Sequence, residues 1–353
     1  MNETKNIFDS LQEEIMQSDL PEAEKNRRLS VLLKASNRNV NLMLVGASGA
    51  GKSSTINALF DMSVAKVGVG VDPETKTIVK YDLGNLKIWD TPGLGDTIEN
   101  DKKYINQIVK KLSETDGNGD LLIDLVLVVL DASSKDLAVS YSVINETLIP
   151  CLGKDNAHRI LIGLNQSDMA MKGRHWDEES NAPDEVLAEF LTKKADSVKN
   201  RVFEATQVTV EPVYYSAGYT EDDGKQQAPY NLIKLLYHIL LAVPSEKRLI
   251  LADKLNADER NWQHDDGGSD YSNDIKNTFF DSLFKDIGFG AENGALLGSC
   301  VIGVPGILVG GLVGGILGGL HALILRPLSK IKSLSGLDII SKLPPITEIL
   351  NKL

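Results

Sequence analysis

The chain of 353 residues predicts an α/β protein of three layers, a mostly parallel sheet with helices on both faces. Residues 125–130 and 159–164 are nearly continuous apolar runs of strand length, as expected for central strands covered on both sides. Strand-like and helix-like stretches alternate through residues 39–243, the order that builds a parallel sheet. A glycine-rich turn at 46–51 joins a strand-like segment directly to a helix-like one.

Composition bounds the alternatives. Hydrophobic residues make up 42% and charged residues 24%, the balance of an ordinary globular protein. A net charge of -12 repels phosphate backbones, so nucleic acid is not an expected partner. The two cysteines, Cys151 and Cys300, share no pairing or metal spacing, which suits a reducing compartment. The N-terminus has no secretory pattern, and the expected location is cytoplasmic. The length leaves room for accessory modules, and four segments are expected: N-terminal helices at 1–38, a central α/β domain at 39–243, a linker and helical region at 244–286, and a glycine-rich apolar segment with an amphipathic tail at 287–353.

In chain order, Ile7, Phe8, Leu11, Ile15 and Met16 recur at helical spacing, and a second helix is expected after Asp19 with Pro21 near its first position. Both are expected to pack on the central domain. Residues 39–45 read as a strand and 52–60 as a helix. Residues 77–83 and 86–90 read as strands joined at Gly84-Asn85, an antiparallel hairpin at the sheet edge. Residues 184–205 have helical periodicity, 208–215 are rich in β-formers, and 231–242 form an apolar helix that ends before Pro244. Residues 256–274 are polar and acidic and carry Gly267-Gly268, which predicts a linker or mobile loop, and an amphipathic stretch follows at 279–289.

The chemistry is concentrated in short motifs. Gly46-Ala47-Ser48-Gly49-Ala50-Gly51-Lys52-Ser53 satisfies G-x-x-x-x-G-K-[ST], and Ser54 continues the cradle. Its glycines let successive backbone N–H groups turn toward phosphates, Lys52 would neutralise the β and γ oxygens, and Ser53 would ligate Mg2+. Asp90-Thr91-Pro92-Gly93 follows a strand, where Asp90 would hold the metal's water shell and Gly93 would offer its N–H to a γ-phosphate. The two motifs together predict a nucleoside triphosphatase. Between them, Thr75 and Thr77 are candidates to complete the Mg2+ shell; Thr75 is favoured because Thr77 begins the period-two pattern of the hairpin.

Asn165-Gln166-Ser167-Asp168 ends the strand at 159–164 and resembles the N/T-K-x-D element that reads guanine. The Asp168 carboxylate would accept from the guanine N1–H and exocyclic amine. Adenine would leave it facing an acceptor, a buried mismatch that selects GTP over ATP. Gln166 replaces the usual lysine. Ser216-Ala217-Gly218 resembles the S-A-K loop whose backbone N–H reads guanine O6, with glycine in place of lysine.

On these residues the chain resembles the Era/TrmE-like branch of P-loop GTPases, most closely the bacterial YfjP/YeeP/YkfA-like group. The resemblance covers residues 39–243 and is carried by Gly51-Lys52-Ser53-Ser54-Thr55-Ile56-Asn57-Ala58-Leu59-Phe60, by Trp89-Asp90-Thr91-Pro92-Gly93-Leu94-Gly95-Asp96, and by the N-Q-x-D variant. It implies a GTP-hydrolysing switch with GTP, GDP and Mg2+ as ligands. Leu94 stands where other GTPases place a water-orienting glutamine, so the resemblance implies slow hydrolysis that needs a homodimer or an activating partner. Gly49 stands where potassium-activated relatives have asparagine, which argues against that mechanism.

Residues 294–325 carry no charge and exceed the length of a membrane span. Gly306, Gly310, Gly314 and Gly318 recur every fourth residue beside Gly311, Gly315 and Gly319, spacing that lets helices meet backbone to backbone. Pro305 divides the stretch, and Arg326, Lys330 and Lys332 follow it, a bias toward the inner face of the cell membrane. Two functions are therefore expected to compete. One is a GTPase switch coupled to membrane lipid or self-assembly, and the other is a soluble assembly factor, related to ribosomes or RNA, with this segment buried as a hairpin.

Overall fold

The computed structural model of the chain describes residues 7–17, 21–60, 62, 66–67, 77–220 and 226–287. Thr75 and residues 288–353, including the apolar segment, lie outside the described residues. Helix α1 (Ile7–Gln17) and helix α2 (Glu22–Ser36), which follows Pro21, precede strand β1 (Val40–Gly46) and helix α3 (Lys52–Leu59). Strands β2 (Lys66–Val67), β3 (Val79–Leu83) and β4 (Leu86–Asp90) lead to α4 (Ile98–Leu112), whose first turn is capped by the Thr97 hydroxyl accepting from Asn100 N–H. Then come β5 (Leu125–Asp131), α5 (Ala138–Ser142), a π-helical turn at Val143–Leu148 and α6 (Ile149–Leu152). Pro150 accounts for the wide turn, because it has no N–H to donate to the carbonyl four residues earlier.

Strand β6 (Ile160–Asn165) is followed by the small hairpin β7 (Trp176–Asp177) and β8 (Ala182–Pro183), then by α7 (Glu185–Thr206), capped by Asp184 accepting from Leu187 N–H. Strands β9 (Val213–Tyr214), β10 (Tyr219–Thr220) and β11 (Gln226–Gln227) precede α8 (Leu232–Ala242), α9 (Arg248–Ala252) and α10 (Tyr271–Ile287).

The main sheet has seven strands in the order β2-β3-β4-β1-β5-β6-β9. β1 is paired in parallel with both β4 and β5, and β6 with β5 and β9, whereas β3 is antiparallel to β2 and β4. Strand geometry sends alternate side chains to opposite faces, and the sequence uses both. Leu42, Leu44, Leu125, Leu127 and Val129 face a core built with α1, α2, α3, α8, α9 and α10. Met43, Val45, Val126, Val128 and Leu130 face the other, built with α4, the π-turn, α6 and α7. This is the expected three-layer α/β fold. Phe8 and Ile15 of α1 are buried in the first core, as their spacing anticipated.

Three expectations are corrected. The hairpin at 77–90 is not the sheet edge, because Lys66 and Val67 pair outside it with Asp82 and Tyr81. Of the β-rich stretch 208–215, only Val213 and Tyr214 pair, with Gly163 and Leu164; Val208 and Val210 serve the second core instead of the ladder. Residues 256–274, expected as a linker or loop, are anchored to the core at Asn261, Trp262 and Tyr271. Trp262 and Tyr271 are buried in the first core, and the Trp262 indole donates to Asn256 O at 2.9 Å. Asp266 accepts from Lys234 at 2.6 Å and from the Tyr271 hydroxyl at 3.0 Å, while its own N–H donates to Asn231 at 2.8 Å. Among the described residues no helix is long and apolar enough to cross a membrane.

Candidate functional site

Parallel pairing brings the carboxyl ends of β1, β4, β5 and β6 to one edge of the sheet, where loops can converge on a ligand. The turn after β1 carries residues 46–51 into α3. Lys52 is 9% exposed, and its ammonium donates to the carbonyls of Gly46 and Ala47 at 3.1 and 3.2 Å. Burial pushes Lys52 below the usual lysine range, with the charge of Asp90 opposing that shift.

Register places Asp90 at the end of β4 beside Leu44 of β1. Its Oδ2 accepts from the Ser53 hydroxyl at 3.3 Å, and its Oδ1 is buried without a hydrogen-bond partner. Burial raises the Asp90 carboxyl above the ordinary carboxylate range, against Lys52 and Ser53. A buried carboxylate oxygen lacking a donor, beside a hydroxyl oxygen, is the hard oxygen set that suits Mg2+. No cluster of three His, Cys, Asp or Glu side chains stands among the described residues, and a Mg2+ ion completed by water and phosphate does not require one.

The segment after Asp90 lies on the phosphate loop. Leu94 N–H donates to Gly46 O at 3.2 Å, Ser48 N–H donates to Leu94 O at 3.0 Å, and Ala47 and Leu94 form a parallel bridge. Gly93 is required by this approach, since a Cβ there would lie 2.6 Å from Ser48 Cα. The Leu94 side chain is 2% exposed and belongs to the second core, so this position serves packing.

At the other end, Asn165 joins three loops. Its side-chain amide donates to Ala50 O at 2.9 Å and accepts from Ala217 N–H at 2.9 Å. Gln166 takes a left-handed conformation, and its amide donates to Gly49 O at 2.7 Å. The residue that replaces the usual lysine thus still reaches the phosphate loop, as a neutral donor. Asp168 is 5% and Ser216 3% exposed. Gly218 has φ +70°, and a Cβ there would lie 2.4 Å from Gln227 O, so the turn excludes the lysine common at this position.

The structure therefore brings residues 46–54, Asp90 and Gly93 together, and ties Asn165, Gln166 and, through Asn165, Ala217 to them, whereas Ser216 bonds Tyr230 and Gly218 instead. Thr75 is outside the described residues, while Thr77 is exposed ahead of β3. Two neighbouring polar residues carried no sequence signal: Thr55 and Tyr215, whose hydroxyl oxygens are 2.7 Å apart across 160 positions.

Residues 41–166 match the family model described as "50S ribosome-binding GTPase". That stretch is similar to P-loop GTPase domains, and it contains the phosphate loop, Asp90 and the Asn165 turn. Over 156 residues the chain is 26% identical to "Uncharacterized protein YkfA" of Escherichia coli (strain K12), covering 43% of this chain and 50% of that protein. Over 88 residues it is 40% identical to cell division control protein 10 of Saccharomyces cerevisiae, covering 21% of this chain and 27% of that one. The chain thus spans half or less of the length of these curated relatives. Among solved structures, Toc33 from Arabidopsis thaliana in complex with Mg2+ and GMPPNP is 18% identical with a TM-score of 0.40, covering 69% of this chain and 98% of that one.

Proposed function

We propose that the protein is a guanine-nucleotide switch of the Era/TrmE-like branch that hydrolyses GTP slowly alone and faster on self-assembly or with a partner, and that its glycine-rich C-terminal segment couples this cycle to a membrane. The observation that carries the reading is the Asn165 and Gln166 tie to the phosphate loop, which puts an N-x-x-D element and a G-x-x-x-x-G-K-S loop in one site. In this reading the base is held by Asp168 and the Ser216-Ala217 backbone. The backbone of 46–54 and Lys52 bind the phosphates, and Ser53 and Asp90 hold Mg2+, whose chemistry is to offset charge on the β and γ oxygens.

Leu94 supports the slow basal rate. Its side chain is committed to the core and has no polar atom to orient water, so activation is assigned to a second copy or another protein. The membrane role rests on the uncharged stretch 294–325 and the cations after it. The test is phosphate release from GTP across a range of protein concentrations, with and without anionic liposomes, together with flotation. Turnover per molecule should rise with concentration, and more protein should float with a non-hydrolysable GTP analogue than with GDP. Fast, concentration-independent turnover overturns the activation scheme, and failure to float in both nucleotide states overturns the membrane coupling.

A further inference from the structure

Tyr215 follows β9 directly and is fully buried, as is Thr55 in α3. The Thr55 hydroxyl donates to Gly51 O at 2.8 Å, which commits its single proton. The Tyr215 hydroxyl, 2.7 Å from Thr55 Oγ1, is therefore the donor in that pair. Burial raises the Tyr215 phenol further above its ordinary range, and it remains a protonated donor. On β6, Gly163 faces the ring, and a Cβ there would lie 2.7 Å from Tyr215 Cε1. The ring thus fits only because the strand has no side chain at that point.

The backbone of the same residue belongs to the base end of the site. Tyr215 N–H donates to Leu164 O at 2.9 Å, and Tyr215 O accepts from Ser167 N–H at 3.2 Å, between Gln166 and Asp168. Ser216 and Ala217 follow directly. One residue therefore holds the base-reading turns with its backbone and, through Thr55, the Gly51 carbonyl with its side chain. Gly51 is the residue before Lys52, so its peptide orientation sets how Lys52 and Ser53 enter α3.

We propose that Tyr215 is a positioning residue that couples base recognition to the geometry of the phosphate loop through Thr55 and Gly51, separately from the Asn165 tie. The proposal rests on the guanine-nucleotide reading above. Coupling predicts that losing the hydroxyl weakens a ligand spanning both ends of the site and spares one that touches only the phosphate end.

The full chain is titrated with GTP and with inorganic triphosphate, each with Mg2+, below the melting temperature of every variant. Tyr215→Phe, which keeps the ring, should weaken GTP about tenfold and leave inorganic triphosphate unchanged, in line with the loss of one buried hydrogen bond. Thr55→Val, which also removes the hydrogen bond to Gly51 O, should weaken both ligands, adding Tyr215→Phe to it should cost GTP nothing further, and Thr55→Ser should keep parent affinity. Parent-like GTP affinity or equal weakening of both ligands in Tyr215→Phe, or additive losses in the double variant, overturns the coupling. Failure of the parent chain to prefer GTP over ATP would instead overturn the guanine reading.

Discussion

Asp168 is buried to 5% exposure in a turn whose neighbours Asn165 and Gln166 are pinned to the phosphate loop, so it has little freedom to adapt to a different base. Replacing it with asparagine swaps a pure acceptor for a group that also donates. Asp168→Asn should therefore weaken GTP by about 2–4 kcal/mol and favour xanthosine triphosphate, whose ring offers the matching acceptor. A competition titration of the two nucleotides against parent and variant decides it, and an unchanged preference would remove Asp168 from the base pocket. Gln166 shows how a departure from a motif can keep part of a role. It lacks the charge of lysine, yet its amide still bonds Gly49 O.

The segment between α9 and α10 is an element held by polar ties more than by its sequence character. Burial works to raise the Asp266 carboxyl, but the Lys234 hydrogen bond and charge, Gly268 N–H and the Tyr271 hydroxyl outweigh it and hold the group below its ordinary value of 3.8. A depressed folded value contributes stability that is present above the unfolded pKa and is lost as pH falls through the folded one. Asp266→Asn should therefore lower stability by about 1.5–3 kcal/mol at neutral pH, and its deficit against the parent should close as pH falls below about 4. Urea midpoints of both proteins at pH 7 and pH 3 measure this. A deficit that stays constant with pH would mean that the charge is not what holds the segment.

Sequence legibility divides along the same line. The phosphate loop, the turn at Asp90 and the central strands were legible because their determinants are contiguous: a motif of eight residues, or an apolar run of strand length. Residues 256–274 were misread because their ties are remote, with Lys234 32 positions from Asp266 and Ala58 203 from Asn261. The Thr55 and Tyr215 pair was invisible for the same reason. Residues 208–212 looked like a strand because Val208 and Val210 are apolar, a requirement the core imposes on extended backbone whether or not it pairs.

At the scale of the molecule, the helices after residue 243 complete the first core together with α1, α2 and α3. A partly buried ion pair joins them to the strands' entry edge: Lys247 is 2.7 Å from the buried Asp124, which also accepts from Asn41 N–H at 2.9 Å, and Arg38 donates to Glu246 O at 3.0 Å. Residues 7–287 should accordingly unfold as one unit. Single-tryptophan variants retaining Trp89, on β4, or Trp262, between α9 and α10, should give coincident urea transitions. Lys247→Ala should move both together by up to about 3 kcal/mol, because it leaves the buried Asp124 carboxylate without its hydrogen-bonded cation. Separate midpoints would show that the C-terminal helices form an independent module.

The short strand β9 has a further consequence. Tyr215 N–H is turned inward to Leu164, so the alternation of the strand directs the amide position of residue 212 outward, and that residue is proline. Glu211 beside it is paired with Lys199. An extended segment from a neighbouring molecule would meet a missing donor and a charged pair where a growing ladder needs regular partners. Pro212 and the Lys199–Glu211 pair thus work against edge-to-edge strand pairing at this margin of the sheet.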